Sequence, residues 1–196
     1  MALSFEERLN QILPKISSDE FLHSKGLGNE IGFWIFDYPP EREMEMRDFL
    51  TRTVLSSLNK SQPPIRAGII NLFDLVIQLL QERQLLDKAI DMQQTKGDEA
   101  VMAALRPVLK EDKLAQKVVA MVDLDNIDLL ILWGVGSAYP MLRTHTLLSA
   151  LHPLMGRTPL LMFYPGRYDG YSLRLFNKLS EDHYYRAFRL VPEVQT

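Results

Sequence analysis

The sequence predicts an α/β fold, a three-layer sandwich whose central sheet is mostly parallel and has about five strands. Short apolar runs alternate with longer segments in which apolar residues recur at helical spacing. The clearest runs, at 32–38 and 129–135, are apolar on both faces, which is typical of parallel strands covered by helices on each side. Strands separated by helices predict right-handed parallel crossovers. With 196 residues, 46% of them hydrophobic, the chain can bury one continuous core, so we predict a single domain over 1–196.

Composition narrows the functional class. The net charge of −3 is too small to favour nucleic acid or a membrane surface as a partner. There is no cysteine, which excludes disulfides, thiol catalysis and thiolate metal sites. The N-terminus lacks the basic start and apolar core of a signal peptide, and no apolar run approaches the roughly 18–20 residues of a bilayer span. We therefore predict a cytoplasmic protein with no membrane segment.

Residues 1–25 are predicted to form a helical annex packed on the sheet. Ser4 and Glu7 have the spacing of a capping box, in which each side chain pairs with a backbone amide of the other residue. The helix that follows is predicted to stop near Pro14. The glycines at 26–32 precede the first strand, whereas phosphate-binding glycine loops follow a strand. A turn is therefore favoured there over a nucleotide loop.

Pro39 and Pro40 predict a helix start after the first strand, because proline is tolerated where helix amides have no partner. Asp37 comes just before them, at the end of the strand. Its carboxylate is interpreted as a cap of the following helix, with a metal-ligand role as the less favoured alternative.

Residues 73–121 predict a helical block between the second strand, at 65–71, and the third. The expected helices cover 73–94, 98–109 and 112–121, which is more chain than one crossover needs, so part of the block is interpreted as an insertion over one face. Three carboxylates follow the block: Asp123, Asp125 and Asp128. Metal binding is disfavoured there, because they precede a strand and so lie opposite the usual ligand edge.

Two strand–turn–helix units are predicted between 129 and 176. Gly134 and Gly136 make the first turn, and Ser137 is interpreted as a cap of the helix behind it. The fourth strand, 160–164, leads to a loop in which Asp169 is interpreted as the cap of a helix that contains 173–176. The last strand, 185–191, alternates arginine with apolar residues, a pattern typical of an edge strand.

In this fold the loops after the strands share one edge of the sheet, where ligands usually bind. Two interpretations of that edge stay open. In the first, helix amides behind Ser137 and Asp169, together with Arg143 or Arg167, form an anion pocket. In the second, which is favoured, Ser137, Asp74 and Asp169 only cap helices and the glycines only relieve strain in the turns. The candidate interaction or anion-binding residues of the edge are Asp37, Ser137, Arg143, Arg167 and Asp169, with Asn71, Asp74, Gly134 and Gly136 nearby.

No motif in the sequence favours catalysis. His145 and His152 are seven residues apart on one predicted helix, which separates them by about 10.5 Å, too far to share a metal ion. The HExxH, GxSxG, dinucleotide-binding and P-loop patterns do not occur. We therefore predict no catalytic residue, no cofactor and no metal.

Four motifs occur in a fixed order along nearly the whole chain: GNEIGFWIFDYPP at 28–40, WGVGSAYPMLRTH at 133–145, FYPGRYDG at 163–170 and YRAFRL at 185–190. As a set they resemble the BrxB family, a component of the BREX (bacteriophage exclusion) defence systems of bacteria and archaea. The resemblance implies a small, cytoplasmic, non-catalytic subunit. The other components it implies are a PglX-type adenine methyltransferase, a PglZ-type protein of the alkaline-phosphatase superfamily and a BrxC-type ATPase, in a system that methylates host DNA and blocks phage replication.

Two functions follow from the sequence and the resemblance. The first is an adaptor that docks on a larger BREX component, with the PglZ-type protein as the first candidate and the BrxC- and PglX-type proteins as others. No direct sequence-specific DNA binding is expected. The candidate docking strand contains Tyr184, Tyr185, Arg186 and Arg189, since Tyr and Arg favour interfaces. The alternative is a nucleotide- or phosphate-sensing domain that uses Ser137, Arg143 and Arg167.

Overall fold

A computed structural model describes residues 3–23, 32–181 and 187–192. It confirms the predicted fold class, because helices cover both faces of a mostly parallel sheet. The helical segment predicted at the N-terminus and the helical block between the second and third strands are both present. In the part of the chain that the structure describes, no helix combines the length and apolar character needed to cross a membrane.

Five strands form the parallel part of the sheet, in the order β2–β3–β4–β1–β7, and two more extend it as an antiparallel arm. The arm pairs β5 with the end of β4, and β6 with β5. The strands are β1 (Phe33–Tyr38), β2 (Ala67–Asn71), β3 (Leu129–Trp133), β4 (Leu160–Tyr168), β5 (Leu173–Leu175), β6 (Leu179–Glu181) and β7 (Phe188–Arg189).

One face of the sheet is covered by the N-terminal helices and by the crossover from β1 to β2. The N-terminal helices are α1 (Phe5–Ile16) and α2 (Asp19–Leu22), and the crossover runs through α3 (Glu43–Asp48), a π-helical stretch (Phe49–Val54) and α4 (Leu55–Lys60). The crossover buries residues at helical spacing, namely Met46, Leu50, Val54 and Leu58. The predicted capping box of α1 is present. The helix, predicted to stop near Pro14, ends two residues later at Ile16, since a proline so near the end removes only one amide donor.

The opposite face is covered by the remaining helices. They are α5 (Leu72–Glu82), α6 (Leu86–Lys96), α7 (Asp98–Leu105), α8 (Glu111–Val122), α9 (Val135–Ala138) and α10 (Thr144–Leu151). The single helix predicted over 73–94 is two helices, because Gln84 adopts a left-handed conformation (φ 55°) between them. No residue of α6 is buried, as expected for an insertion over one face.

The helix predicted over 173–176 is wrong, because this segment forms β5. Leu173 and Leu175 are buried and Arg174 between them is exposed, which is the alternation of a strand rather than the spacing of a helix. Strand β4 is correspondingly longer than predicted and continues through Gly166 to Tyr168. At Gly166 (φ 156°) an added Cβ would lie 2.1 Å from the carbonyl oxygen of Arg174, so only glycine permits this pairing.

The chain leaves β1 and β4 toward opposite faces of the sheet. After β1 the crossover packs with Phe36, Leu161 and Phe163 on one face. After β4 the arm packs with the core of the other face through Leu173 and Leu175. Because β1 and β4 are neighbours, a crevice opens between their carboxyl ends, which is the usual ligand position in open α/β sheets.

We expect Gly166→Ala to lower the free energy of unfolding by at least about 2 kcal/mol, because the new methyl group meets a rigid carbonyl in the paired strand. Gly156→Ala is the matched control: Gly156 also has a positive φ, but nothing lies within 4 Å of an added Cβ. The Gly156→Ala variant should lose only about 1 kcal/mol of unfolding free energy, the cost of a side chain at a left-handed position. Urea unfolding of both variants checks this, and equal losses would contradict the strand pairing at Gly166.

Candidate functional site

A buried carboxylate, that of Asp37, joins distant parts of the chain at the carboxyl end of β1. Asp37 is 1% exposed. Its Oδ1 accepts a hydrogen bond from Arg8 Nη2 at 2.7 Å, and its Oδ2 accepts from Arg189 Nη2 at 3.1 Å and from the backbone amide of Tyr168 at 2.9 Å. The predicted helix cap is therefore wrong: no side chain caps the turn that follows β1, and the carboxylate is held by two guanidinium groups.

Arg8 lies on the buried face of α1 and is 4% exposed. Its Nη2 also donates to the carbonyl oxygen of Val191 at 3.1 Å, and its guanidinium carbon lies 4.8 Å from the centre of the Phe36 ring. Its Nε is buried and has no acceptor among the described residues. A buried donor without an acceptor is costly, so this nitrogen sets Arg8 apart from an ordinary structural ion pair.

A cleft of about 360 Å³ opens beside this ion-pair cluster, at the crevice between β1 and β4. We call it the β1 cleft. Two guanidinium groups, those of Arg8 and Arg189, face one carboxylate, that of Asp37, so the cluster carries an excess positive charge. The cleft is lined by Leu3, Phe5, Arg8, Tyr38, Pro39, Gly166, Arg167 and Asn177.

A second polar chain links β1 to the turn after β3. The Tyr38 hydroxyl donates to Glu43 Oε2, and burial together with the Glu43 carboxylate raises the pKa of Tyr38. Arg47 donates from Nε to Glu43 Oε1 at 2.8 Å and from Nη2 to Ser137 Oγ at 3.0 Å. Its guanidinium lies 5.7 Å from the centre of the Trp133 ring. The side chains thus tie the crossover after β1 to the end of β3.

The predicted capping role of Ser137 is wrong, because Ser137 lies inside α9 and Gly134 occupies the N-cap position. Gly134 has φ 77°, and an added Cβ would lie 2.3 Å from Asn71 Oδ1. That oxygen is already engaged, since it accepts from the amides of Phe73 and Asp74 and so caps α5. The first glycine turn therefore serves close packing between neighbouring loops.

Asp169 closes the turn between β4 and β5 and does not cap a helix, because the predicted helix is absent. Its Oδ1 accepts from the amides of Tyr171 at 2.8 Å and Ser172 at 2.7 Å, and its Oδ2 accepts from Ser172 Oγ at 2.8 Å. These hydrogen bonds, chiefly those from the Ser172 and Tyr171 amides, lower the pKa of Asp169.

Arg143 lines a second groove, which is larger than the β1 cleft. The groove has a volume of about 1030 Å³ and runs between the α7–α8 connection and the segment that leads into α10. We call it the α8 groove. Arg106, Lys110 and Arg143 are exposed along it, beside the half-buried Met102 and Met141. Its other lining residues are Ala103, Pro107, Leu109, Glu111, Asp112, Leu114, Pro140, Leu142 and Thr146.

The residues predicted to share one anion pocket are separated. Arg167 lines the β1 cleft, Arg143 lines the α8 groove, and Ser137 binds Arg47. Of the predicted docking strand, Arg189 pairs with Asp37, so its charge is directed inward. The other three predicted docking residues, Tyr184, Tyr185 and Arg186, lie outside the described residues.

Sequence reasoning missed Arg8, Arg47 and Asn177. Arg8 carried one usable signal, since it precedes Leu9 and lies four residues before Ile12 on the apolar face of α1. The other two become recognisable only when the crossover and the arm are in place.

The carboxylates at 123–128 lie before β3, at the amino edge, as their sequence position implied. Asp128 accepts from the backbone amide of Arg66 at 2.8 Å and from its Nη2 at 2.9 Å, and these contacts lower the pKa of Asp128. Asp123 accepts from Asn126 Nδ2 at 2.7 Å. Within 3–23, 32–181 and 187–192, no group of three or more metal-binding side chains is arranged to hold an ion.

Comparison with known proteins identifies relatives of this chain. A family model described as "BREX protein BrxB" matches residues 69–190. A protein named "BREX protein BrxB" from Escherichia coli O9:H4 (strain HS) is 43% identical over 188 residues, covering 96% of this chain and 92% of the relative. A protein of the same name from Bacillus cereus (strain H3081.97) is 41% identical over 189 residues, covering 94% and 96%. No solved structure matches the chain.

We expect Asp37→Asn to lower the free energy of unfolding by about 3–5 kcal/mol, because it leaves two buried or half-buried guanidinium groups without their counter-charge. Asp128→Asn is the matched control, since it breaks an ion pair with Arg66 at the surface and should cost much less. Chemical denaturation measures both. If the two variants had the same stability, the cluster around Asp37 would not be an important structural contact.

Asp169 is expected to make the arm sensitive to acid. Its pKa is lower in the folded protein than in the unfolded chain, so its contribution to stability is fully present above the unfolded pKa of about 4 and is lost as the pH falls through the folded pKa. The variant Asp169→Asn cannot titrate. The difference in unfolding free energy between the wild type and Asp169→Asn should therefore be largest near neutral pH and shrink below about pH 4. A difference that is constant from pH 7 to pH 3 would refute this role.

Proposed function

The chain belongs to the BrxB family of BREX proteins, and from this premise we propose that it is a non-catalytic adaptor that docks on a larger BREX component. Its membership supports a role in anti-phage defence. The absence of catalytic sequence motifs favours binding over catalysis. The PglZ-type protein is the first candidate partner, with the BrxC-type ATPase and the PglX-type methyltransferase as the others.

The α8 groove is the observation that carries this proposal. Its floor is apolar, since Leu109, Leu114 and Leu142 are buried beneath the half-buried Met102 and Met141. Methionine side chains adapt to different partners because their unbranched chains are flexible. A groove with such a floor accepts an inserted segment of another protein, as amphipathic helices are accepted elsewhere.

The charges of the groove specify the chemistry of that segment. Arg106, Lys110 and Arg143 are exposed along it, and none of them forms an ion pair with another described residue. The groove also holds Glu111 and Asp112, but both occupy the first turn of α8, where the helix dipole favours a carboxylate. We therefore assign the groove to a partner segment that has apolar anchors flanked by acidic residues.

The comparisons are consistent with an adaptor whose docking surface lies in this part of the chain. The family model spans residues 69–190, and the groove residues run from 102 to 146 within that span. The predicted docking strand at 184–189 also lies within that span. Its role in docking stays a prediction. A test of the groove must therefore include this second surface.

We expect the double variant Arg106→Glu with Arg143→Glu to lose binding to the partner, because it places negative charge where the acidic segment docks. The measurement is co-purification of the full chain with each of the three larger components in turn, followed by titration against any that binds. Affinity should fall at least tenfold, and wild-type binding should weaken as salt is raised.

Arg157→Glu is the matched control, because Arg157 is exposed just before β4, at the opposite edge of the sheet. Each Arg→Glu substitution changes the charge by the same amount, but the control variant should leave partner binding intact. Unfolding measurements should show that all variants keep wild-type stability. Failure of the wild type to bind any of the three components would refute the adaptor proposal. Binding that survives the double variant would instead move the docking surface away from the α8 groove, and Arg186→Glu, in the predicted docking strand, would then be the next variant to test.

A further inference from the structure

We propose that the β1 cleft is a binding site for the oxyanion end of a small molecule, a phosphate or a phosphate monoester. The site is distinct from the α8 groove and involves other residues. Three features of the structure support such a site: the charge of the ion-pair cluster beside the cleft, the position of the cleft in the sheet and the conformation of the arm.

The cluster has one positive charge more than its internal partners neutralise. Arg8 and Arg189 both pair with the single carboxylate of Asp37. Both hydrogen bonds that Arg8 makes with described residues leave from Nη2, and its buried Nε has no acceptor. Arg167 also lines the cleft. An oxyanion in the cleft would balance this charge and offer acceptors to the guanidinium of Arg8.

The cleft also occupies the position at which α/β sheets bind ligands. It is lined by Tyr38 and Pro39 from the carboxyl end of β1 and by Gly166 and Arg167 from the carboxyl part of β4. The connections from these two neighbouring strands pass to opposite faces of the sheet. Such a switch point leaves a crevice that no covering helix fills.

The arm presents Asn177 to the cleft from a strained turn. Phe176 (φ 53°) and Asn177 (φ 60°) are both left-handed, and Lys178 N closes the turn by donating to Leu175 O at 3.0 Å. A bulky residue such as Phe rarely adopts this conformation, which has an energetic cost. Phe176 is held in it by packing against α9, since an added Cβ at Gly136 would lie 2.8 Å from its ring. The side-chain amide of Asn177 is a donor suited to an oxyanion.

The size and lining of the cleft limit the ligand. At about 360 Å³ the cleft is at the lower end of the range for small-molecule sites. Leu3, Phe5 and Pro39 provide an apolar wall beside the charged end. The cleft therefore fits a small molecule that is anionic at one end and apolar or aromatic at the other, such as a nucleoside monophosphate.

The experiment follows the Arg8 Nε–H signal by NMR in the full chain labelled with ¹⁵N-arginine. The titrants are inorganic phosphate, AMP and, as the uncharged counterpart, adenosine. We expect phosphate and AMP to shift the Arg8 signal saturably and adenosine to leave it unchanged. Tighter binding of AMP than of phosphate would assign the nucleotide as the source of the oxyanion, and equal binding would assign free phosphate.

Two variants test the site without disturbing the ion-pair cluster. Arg167→Ala removes a lining cation, and Asn177→Gly removes the amide while keeping a residue that accepts φ 60°. Each should weaken phosphate binding about tenfold. Arg143→Ala is the matched control, because it removes a cation from the same sheet edge but from the other cavity.

The proposal is overturned if the Arg8 signal does not shift up to tens of millimolar phosphate or AMP, if adenosine shifts it equally, or if Arg167→Ala and Asn177→Gly both bind phosphate like the wild type. Partner binding does not enter this measurement. Failure here and failure of the adaptor proposal are therefore distinguishable.

Discussion

The Asp37 carboxylate is the contact on which the arrangement of the chain ends depends. It holds Arg8 of α1, Arg189 of β7 and the backbone amide of Tyr168 at the start of the arm. Strand β7 has only two residues, so its pairing with β1 supplies few ladder hydrogen bonds. Burying a carboxylate is costly unless its oxygens accept hydrogen bonds, and both oxygens of Asp37 accept them. The ion pairs therefore fix α1 and β7 to the central strand where sheet pairing alone would be weak.

The sequence predicted the parts of the fold that depend on local periodicity. The strands at β1 and β3 are apolar on both faces because helices cover both sides, and the face of α3–α4 follows from the spacing of Met46, Leu50, Val54 and Leu58. The cluster around Asp37 was not predictable in this way. Its partners lie 29 and 152 residues away in sequence, and a carboxylate before two prolines has the local pattern of a helix cap.

The arm after β4 shows why the site was only partly predicted. A three-residue run such as Leu173–Leu175 is too short to distinguish strand from helix by periodicity. The turn that follows has Phe at a left-handed position, so it lacks the Asn-Gly or Gly-Gly signal of a tight hairpin. Packing against Gly136 supplies what the local sequence does not. Arg167 was therefore identified as an edge residue, whereas its neighbours Asn177 and Arg8 in the cleft were not.

The β1 cleft and the α8 groove differ in chemistry, yet α9 is close in structure or in sequence to residues of both. Gly136 supports Phe176 of the arm, and Ser137 accepts a hydrogen bond from Arg47 of the crossover. The residues that follow α9, Pro140–Arg143, line the α8 groove. An oxyanion in the β1 cleft would bind the arm and α1, whereas a partner in the α8 groove would bind the segment just after α9. Since one four-residue helix contacts the arm and leads directly into the groove, any coupling between ligand and partner has a short physical path through Gly136.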